Sequence, residues 1–102
     1  MRELSESEKL EDVLKEKSLC VVDFFATWCG PCKKVSAELD VLESKHADTL
    51  FVKVDVDTHE SLAVEYSVES LPTVVVFKDA VKIGSFVGAS PKLSEQIAKL
   101  LV

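Results

Sequence analysis

Cys29 and Cys32 stand two residues apart in "FFATWCGPCKK", Phe24 to Lys34, with Gly30 and Pro31 between them. Two thiols at that spacing can clip a metal, staple a loop, or cycle between dithiol and disulfide. Spacing alone leaves all three uses open. A zinc site needs two further ligands, and only Cys20, His46 and His59 are available, none at ligand spacing to the pair. No metal ligand set is therefore expected. A purely structural disulfide closing so short a loop adds little stability.

Context favours the redox use. The pair follows "LCVVDFF", Leu19–Phe25, a continuous β-prone run of the kind found in strands covered on both faces. It precedes a helical pattern that starts at Pro31 and carries Val35, Leu39 and Leu42 on one stripe. The cysteines thus sit where a strand ends and a helix begins, the usual ligand position in open α/β sheets. Free N–H groups and the positive dipole end favour a thiolate there over its thiol. Thiols of Cys-X-X-Cys motifs are known for lowered pKa values, and Cys29 is expected to behave so. One helical turn separates Cα atoms by about 5–6 Å, within disulfide reach. Pro31 suits the first turn of a helix, and Gly30 leaves the sulfur of Cys29 open to a bulky partner.

Two further residues bear on this chemistry. Asp23 interrupts the apolar run before the pair. Either it lies solvated near the strand end, or it is buried, where a carboxyl pKa rises and suits a proton acceptor near neutral pH. In the second case it would deprotonate Cys32, directly or through a water. Lys53, inside "FVKVDV", offers a partner charge on a neighbouring strand. Pro72 directly precedes "TVVVFK"; a strand-start proline is the plain reading, and a cis Leu71–Pro72 bond the sharper one.

The elements that must position these groups follow a regular order. Arg2–Leu4 is a candidate edge strand, and Ser5 with Glu8 has capping-box spacing before a helix to about Lys17. Leu50–Val56 is a second buried-type strand, followed by a short helix capped by Asp57 or Thr58. Thr73–Lys78 and Lys82–Val87 form a hairpin around Asp79-Ala80, and Ser90-Pro91 starts a last helix with Leu93, Ile97, Leu100 and Leu101 inward. The order βαβαβαββα calls for an α/β fold: a central mixed sheet of about five strands flanked by four helices.

The whole chain has 102 residues, which suits a single domain spanning 1–102. Hydrophobic residues make up 47% and charged residues 29%, enough for a core and unlike a disordered chain. A net charge of −6 gives nucleic acid no electrostatic footprint, and the scattered acidic residues read as a solvated surface. No apolar run approaches the roughly 20 residues that span a bilayer. The charged start "MRELSESEKLEDVLKEK" has no signal-peptide core. Three cysteines fit a disulfide-stapled secreted domain poorly, so a reducing compartment, the cytoplasm, is expected. Cys20 reads as a buried small hydrophobe.

Trp28-Cys29-Gly30-Pro31-Cys32-Lys33, Asp23 six residues before Cys29, Lys53 in "VKVDVD", Leu71-Pro72-Thr73 and Val87-Gly88-Ala89 together resemble the thioredoxin family across essentially the whole chain. The resemblance implies a thioredoxin fold and a protein-disulfide reductase that carries electrons through a dithiol and holds no cofactor. It implies that Cys29 is the exposed nucleophile, Cys32 the buried resolver, and Asp23, linked to Lys53, the buried acid/base. It makes Leu71–Pro72 cis and facing the disulfide. Trp28, Gly30, Pro31, Leu71, Pro72, Val87 and Gly88 would form an apolar docking surface, with the Leu71 backbone pairing to an extended substrate segment. Implied partners are an NADPH-dependent thioredoxin reductase and targets such as ribonucleotide reductase, peroxiredoxins and methionine sulfoxide reductase. Gly-Pro between the cysteines resembles the reducing members. The alternative is a docking subunit of this fold with an idle pair. Ala37 and Ala80 depart from the family's usual proline and glycine, which leaves the straightness of the second helix and the hairpin turn as open points.

Overall fold

The computed structural model describes residues 1–102. Its elements are β1 (Arg2–Glu3), α1 (Leu10–Val13), β2 (Leu19–Phe25), α2 (Gly30–Lys45), β3 (Thr49–Asp55), α3 (Glu60–Glu65), β4 (Thr73–Lys78), β5 (Val81–Val87) and α4 (Leu93–Leu100). They form one five-stranded sheet in the order β1-β3-β2-β4-β5. β1 and β2 both run parallel to β3, whereas β4 runs antiparallel to β2 and β5 antiparallel to β4. The mixed sheet and the four helices match the expected α/β architecture.

Strand alternation divides the core between the two faces of this sheet. Cys20, Val22 and Phe24 pack with Val52, Val54, Val75 and Phe77 against Leu10, Val13 and Leu14 of the α1 segment, with Leu62 and Tyr66 of the α3 segment at the edge. Val21, Phe51, Val74 and Val76 pack on the other face against Val35, Leu39 and Leu42 of α2 and Leu93, Ile97 and Leu101 of the α4 segment. The central strands are mostly apolar because both faces are covered, and Asp23 is the one charged residue of β2. Asp23 shares parity with Val21, so it lies on the α2 face.

Several boundaries differ from the sequence expectation, each for a local reason. The Ser5 N–H does bond Glu8 Oε1 at 2.8 Å, yet the helix begins only after Lys9. It ends at Val13, where Lys15 and Glu16 turn back to Asp12 and Val13 through shorter-range bonds. Neither Asp57 nor Thr58 caps α3. The Asp55 carbonyl accepts the Thr58 and His59 N–H groups, His59 is the N-cap, and the Asp57 carboxylate is taken by Trp28. Ser90-Pro91 forms the turn before α4 rather than its first residues, with Ser90 Oγ accepting the Lys92 N–H at 3.2 Å. α2 runs unbroken through Ala37.

The β4–β5 turn holds both Asp79 (φ 51°) and Ala80 (φ 65°) in the left-handed region, the geometry that favours a two-residue hairpin turn. Gly84 admits α4 close to β5, since a Cβ there would stand 2.6 Å from Leu100 Cδ1. No helix is long and apolar enough to cross a membrane.

Candidate redox-active site

β2 and α2 meet at the cysteine pair. Cys29 is the N-cap of α2 in extended conformation, its Sγ accepts the Cys32 N–H at 3.3 Å, and Pro31 occupies the first turn. No carboxylate lies in that turn, so nothing there opposes the helix dipole in stabilising a thiolate. A disulfide joins Cys29 and Cys32 across a Cα separation of 5.4 Å.

In this oxidised form the word "exposed" does not fit Cys29. It is 6% accessible against 2% for Cys32, because both cysteines pack into a small apolar cluster with Ala26, edged by Phe25, Val56 and Leu71. The asymmetry between the sulfurs lies in what each can be reached from. Cys29 lines an open groove of about 460 Å³ with Trp28, Gly30, Pro31, Val56 and Leu71. Cys32 lines a separate cleft of about 420 Å³ with Phe25, Ser36, Asp40 and Lys53.

Among the groups expected to dock a partner, Trp28 is 71% exposed and donates its indole N–H to Asp57 Oδ2 at 2.9 Å. Gly30 and Pro31 are exposed, and nothing stands within 4 Å of the place a Gly30 Cβ would take. Leu71 is half-buried, and neither its N–H nor its carbonyl is taken by another backbone group. The Leu71–Pro72 bond is cis. Pro72 itself is buried, next in the chain to the half-buried Leu71 that lines the groove. Its carbonyl accepts the Gly88 N–H at 2.8 Å, tying the start of β4 to the end of β5. Gly88 has φ 87°, and Val87 is exposed beside it.

Asp23 is fully buried, which removes the solvated-strand-end reading. Ser36 Oγ–H donates to Asp23 Oδ2 at 2.7 Å, and Oδ1 has no partner. Burial pushes its carboxyl up from 3.8 to about 6, against the opposing Ser36 hydrogen bond and the field of Lys53, with Asp40 adding to the rise. Lys53 is the register neighbour of Asp23 but forms no ion pair with it. Its half-exposed ammonium instead lies 3.9 Å from Glu3 and 5.3 Å from the centre of the Phe25 ring, so it acts on Asp23 only through space.

Sequence reasoning missed Ser36 and Asp40. Their signal was the spacing on α2, one and two turns after Cys32. Cys20 is buried on the opposite face of the sheet, near the Leu14 and Lys17 carbonyls, and His59 is buried against the Leu4 carbonyl.

Comparison with known proteins decides the family. The thioredoxin family model matches residues 1–100. This chain belongs to the thioredoxin family. Thioredoxin of Echinococcus granulosus is 44% identical over 85 residues, which cover 83% of this chain and 79% of that one. Thioredoxin-1 of Schizosaccharomyces pombe is 36% identical over 99 residues, covering 97% and 96%. A chain from a structural study of thiol resolution in yeast mitochondrial 1-Cys peroxiredoxin via glutathione/thioredoxin systems superposes with a TM-score of 0.88. It is 37% identical, with 99% of this chain and 95% of that chain covered. Thioredoxins are thiol–disulfide oxidoreductases, and with its Cys29–Cys32 disulfide this chain is a dithiol redox carrier.

Proposed function

We propose that the chain reduces protein disulfides by a two-step exchange with unequal roles for its two sulfurs. The Cys29 thiolate attacks one sulfur of a target disulfide, forming a mixed disulfide and releasing the target's first thiolate. The Cys32 thiolate then attacks Cys29 Sγ, breaking the mixed bond and releasing the second target thiolate. Asp23 accepts the proton of Cys32 and returns it to the leaving sulfur. Two electrons have then passed to the target, and Cys29–Cys32 is the oxidised product. An NADPH-dependent thioredoxin reductase restores the dithiol.

The observation that carries this reading is a disulfide at a helix N-terminus backed by a fully buried carboxylate with a free oxygen. A docking subunit with an idle pair has no use for such a costly group. Trp28, Gly30, Pro31 and Leu71 receive the target along the groove, Val87 and Gly88 extend the surface, and Pro72 holds it in place. The unpaired Leu71 backbone groups suit addition of an extended target strand. Ribonucleotide reductase, peroxiredoxins and methionine sulfoxide reductase are the proposed target classes. The peroxiredoxin study among the structural relatives supports the second of these. Lys53 tunes Asp23 through its field. The cytoplasm is the proposed compartment, because it keeps such thiols reduced.

The test is insulin-disulfide reduction with NADPH and purified thioredoxin reductase. The unaltered chain is expected to turn over, with insulin preferred to a glutathione mixed disulfide, and Cys29→Ser to lose essentially all activity. Full activity in Cys29→Ser would sink the scheme.

A further inference from the structure

We propose that Ser36 is a positioning residue for proton transfer at Cys32, its hydroxyl pinning one oxygen of the Asp23 carboxylate and leaving the other free to accept the proton. The inference rests on the reading of Asp23 as the base.

Three observations carry it. Ser36 lies one helical turn beyond Cys32, and the two side chains line the same cleft. Ser36 Oγ is 2.7 Å from Asp23 Oδ2 and is the carboxylate's one hydrogen-bond donor. Asp23 Oδ1 is buried and unpartnered. A carboxylate with no donor in a fully buried site would be held protonated and useless as a base. One with both oxygens occupied would have nothing left for the thiol. A single hydroxyl meets both demands: it favours the charged form and fixes the plane of the carboxylate.

Among the groups around Asp23, Ser36 alone bonds it. From β3, Lys53 favours the carboxylate through its field, but its ammonium lies 3.9 Å from Glu3 and makes no bond to Asp23. From α2, Asp40 opposes ionisation of Asp23, and Cys32 is the group to be deprotonated. From β4, the register partner is Val74, which carries no charge. Without Ser36 the base would remain protonated to a higher pH.

The experiment is a stopped-flow reaction of the reduced chain with dithiobis(nitrobenzoate). Attack by Cys29 releases the first thionitrobenzoate, and resolution by Cys32 releases the second. The pH profile of the second phase is compared for the unaltered chain, Ser36→Ala, Ser36→Thr and Asp23→Asn, alongside NMR titration of the Asp23 carboxyl carbon. Alanine favours helix, so Ser36→Ala is expected to fold. It should move both the acid limb of the second phase and the Asp23 midpoint up by about one pH unit, the scale of one hydrogen bond to a charged group. Ser36→Thr should restore both. An unshifted limb and midpoint in Ser36→Ala would overturn the proposal, as would a shift that threonine fails to reverse. If the acid limb persists in Asp23→Asn, the reading of Asp23 as base falls, and this inference with it. If the limb disappears there, the Ser36 variants judge the present inference alone.

Discussion

A carboxyl group with no exposure, one hydrogen bond and no ion pair works against the fold that holds it. For Asp23 the consequence can be signed. Its pKa rises from 3.8 to about 6 on folding, so between these values the native state holds a proton that the unfolded state has lost. Stability must then fall as pH rises from about 4 through 6 and level off above, by about 3 kcal/mol in all. Asp23→Asn should abolish most of that slope and raise stability at pH 7 by a similar amount, while slowing the resolving step more than the first attack. Urea denaturation of the oxidised protein at several pH values checks it; parallel profiles for the two proteins would contradict it. Much of this chemistry was legible in the sequence. A charged residue inside an apolar strand and two cysteines at a strand-to-helix junction are conspicuous against what surrounds them. Ser36 was not legible, since a serine on a helix looks the same whether it faces water or a buried carboxylate. Nor was the coverage of Cys29, which depends on Ala26, Phe25, Val56 and Leu71 closing over it.

Elements with unbroken apolar runs were the easiest to place. The bounds Thr73–Lys78 and Leu19–Phe25 match the sequence expectation to the residue, because burial on both faces makes each a nearly continuous apolar run. The helix starts were harder. The cap expected at Asp57 is absent because Trp28, 29 residues earlier in the chain, takes its carboxylate, a tertiary contact that local propensity does not contain. Ser90 does accept a backbone N–H, but two residues on, so a turn forms where a helix was expected. The Asp79-Ala80 turn shows the opposite case, a poor local residue tolerated by a strong context. Asp79 bonds Ser18 through both its N–H, at 2.7 Å to the carbonyl, and its Oδ1, at 2.9 Å to the hydroxyl. Those bonds hold the hairpin although Ala80 sits at φ 65°, where a Cβ costs about 1 kcal/mol. Ala80→Gly should therefore stabilise the protein by up to about 0.5 kcal/mol, the relieved strain of about 1 kcal/mol less the backbone entropy that glycine adds to the unfolded chain. Thermal melts of the two proteins decide it, and an unchanged or lower midpoint would show that Ala80 is not strained.

At the scale of the molecule, one sheet serves two cores, and the site sits where the strand and helix of one of them meet. The order of elements made the mixed sheet legible, because a βαβαβα run demands parallel pairing and a closing hairpin demands antiparallel pairing. The strand order and the allocation of α2 with α4 to Asp23's face depend on crossovers that spacing alone does not report. Because both cores share β2, β3 and β4, they should melt together as one cooperative unit spanning the chain. Leu10→Ala on one face and Leu39→Ala on the other should each cost about 2–5 kcal/mol. Each should keep a single transition, coincident by circular dichroism and by Trp28 fluorescence. Two separable transitions would mean that the faces fold independently. Mass spectrometry of adducts with a disulfide-bonded peptide distinguishes the roles of the two sulfurs. Cys32→Ser should accumulate a one-to-one mixed disulfide, mapped to Cys29, whereas Cys29→Ser should form none. Equal adduct formation through Cys32 in Cys29→Ser, or no adduct in either variant, would show that Cys29 is not the attacking sulfur.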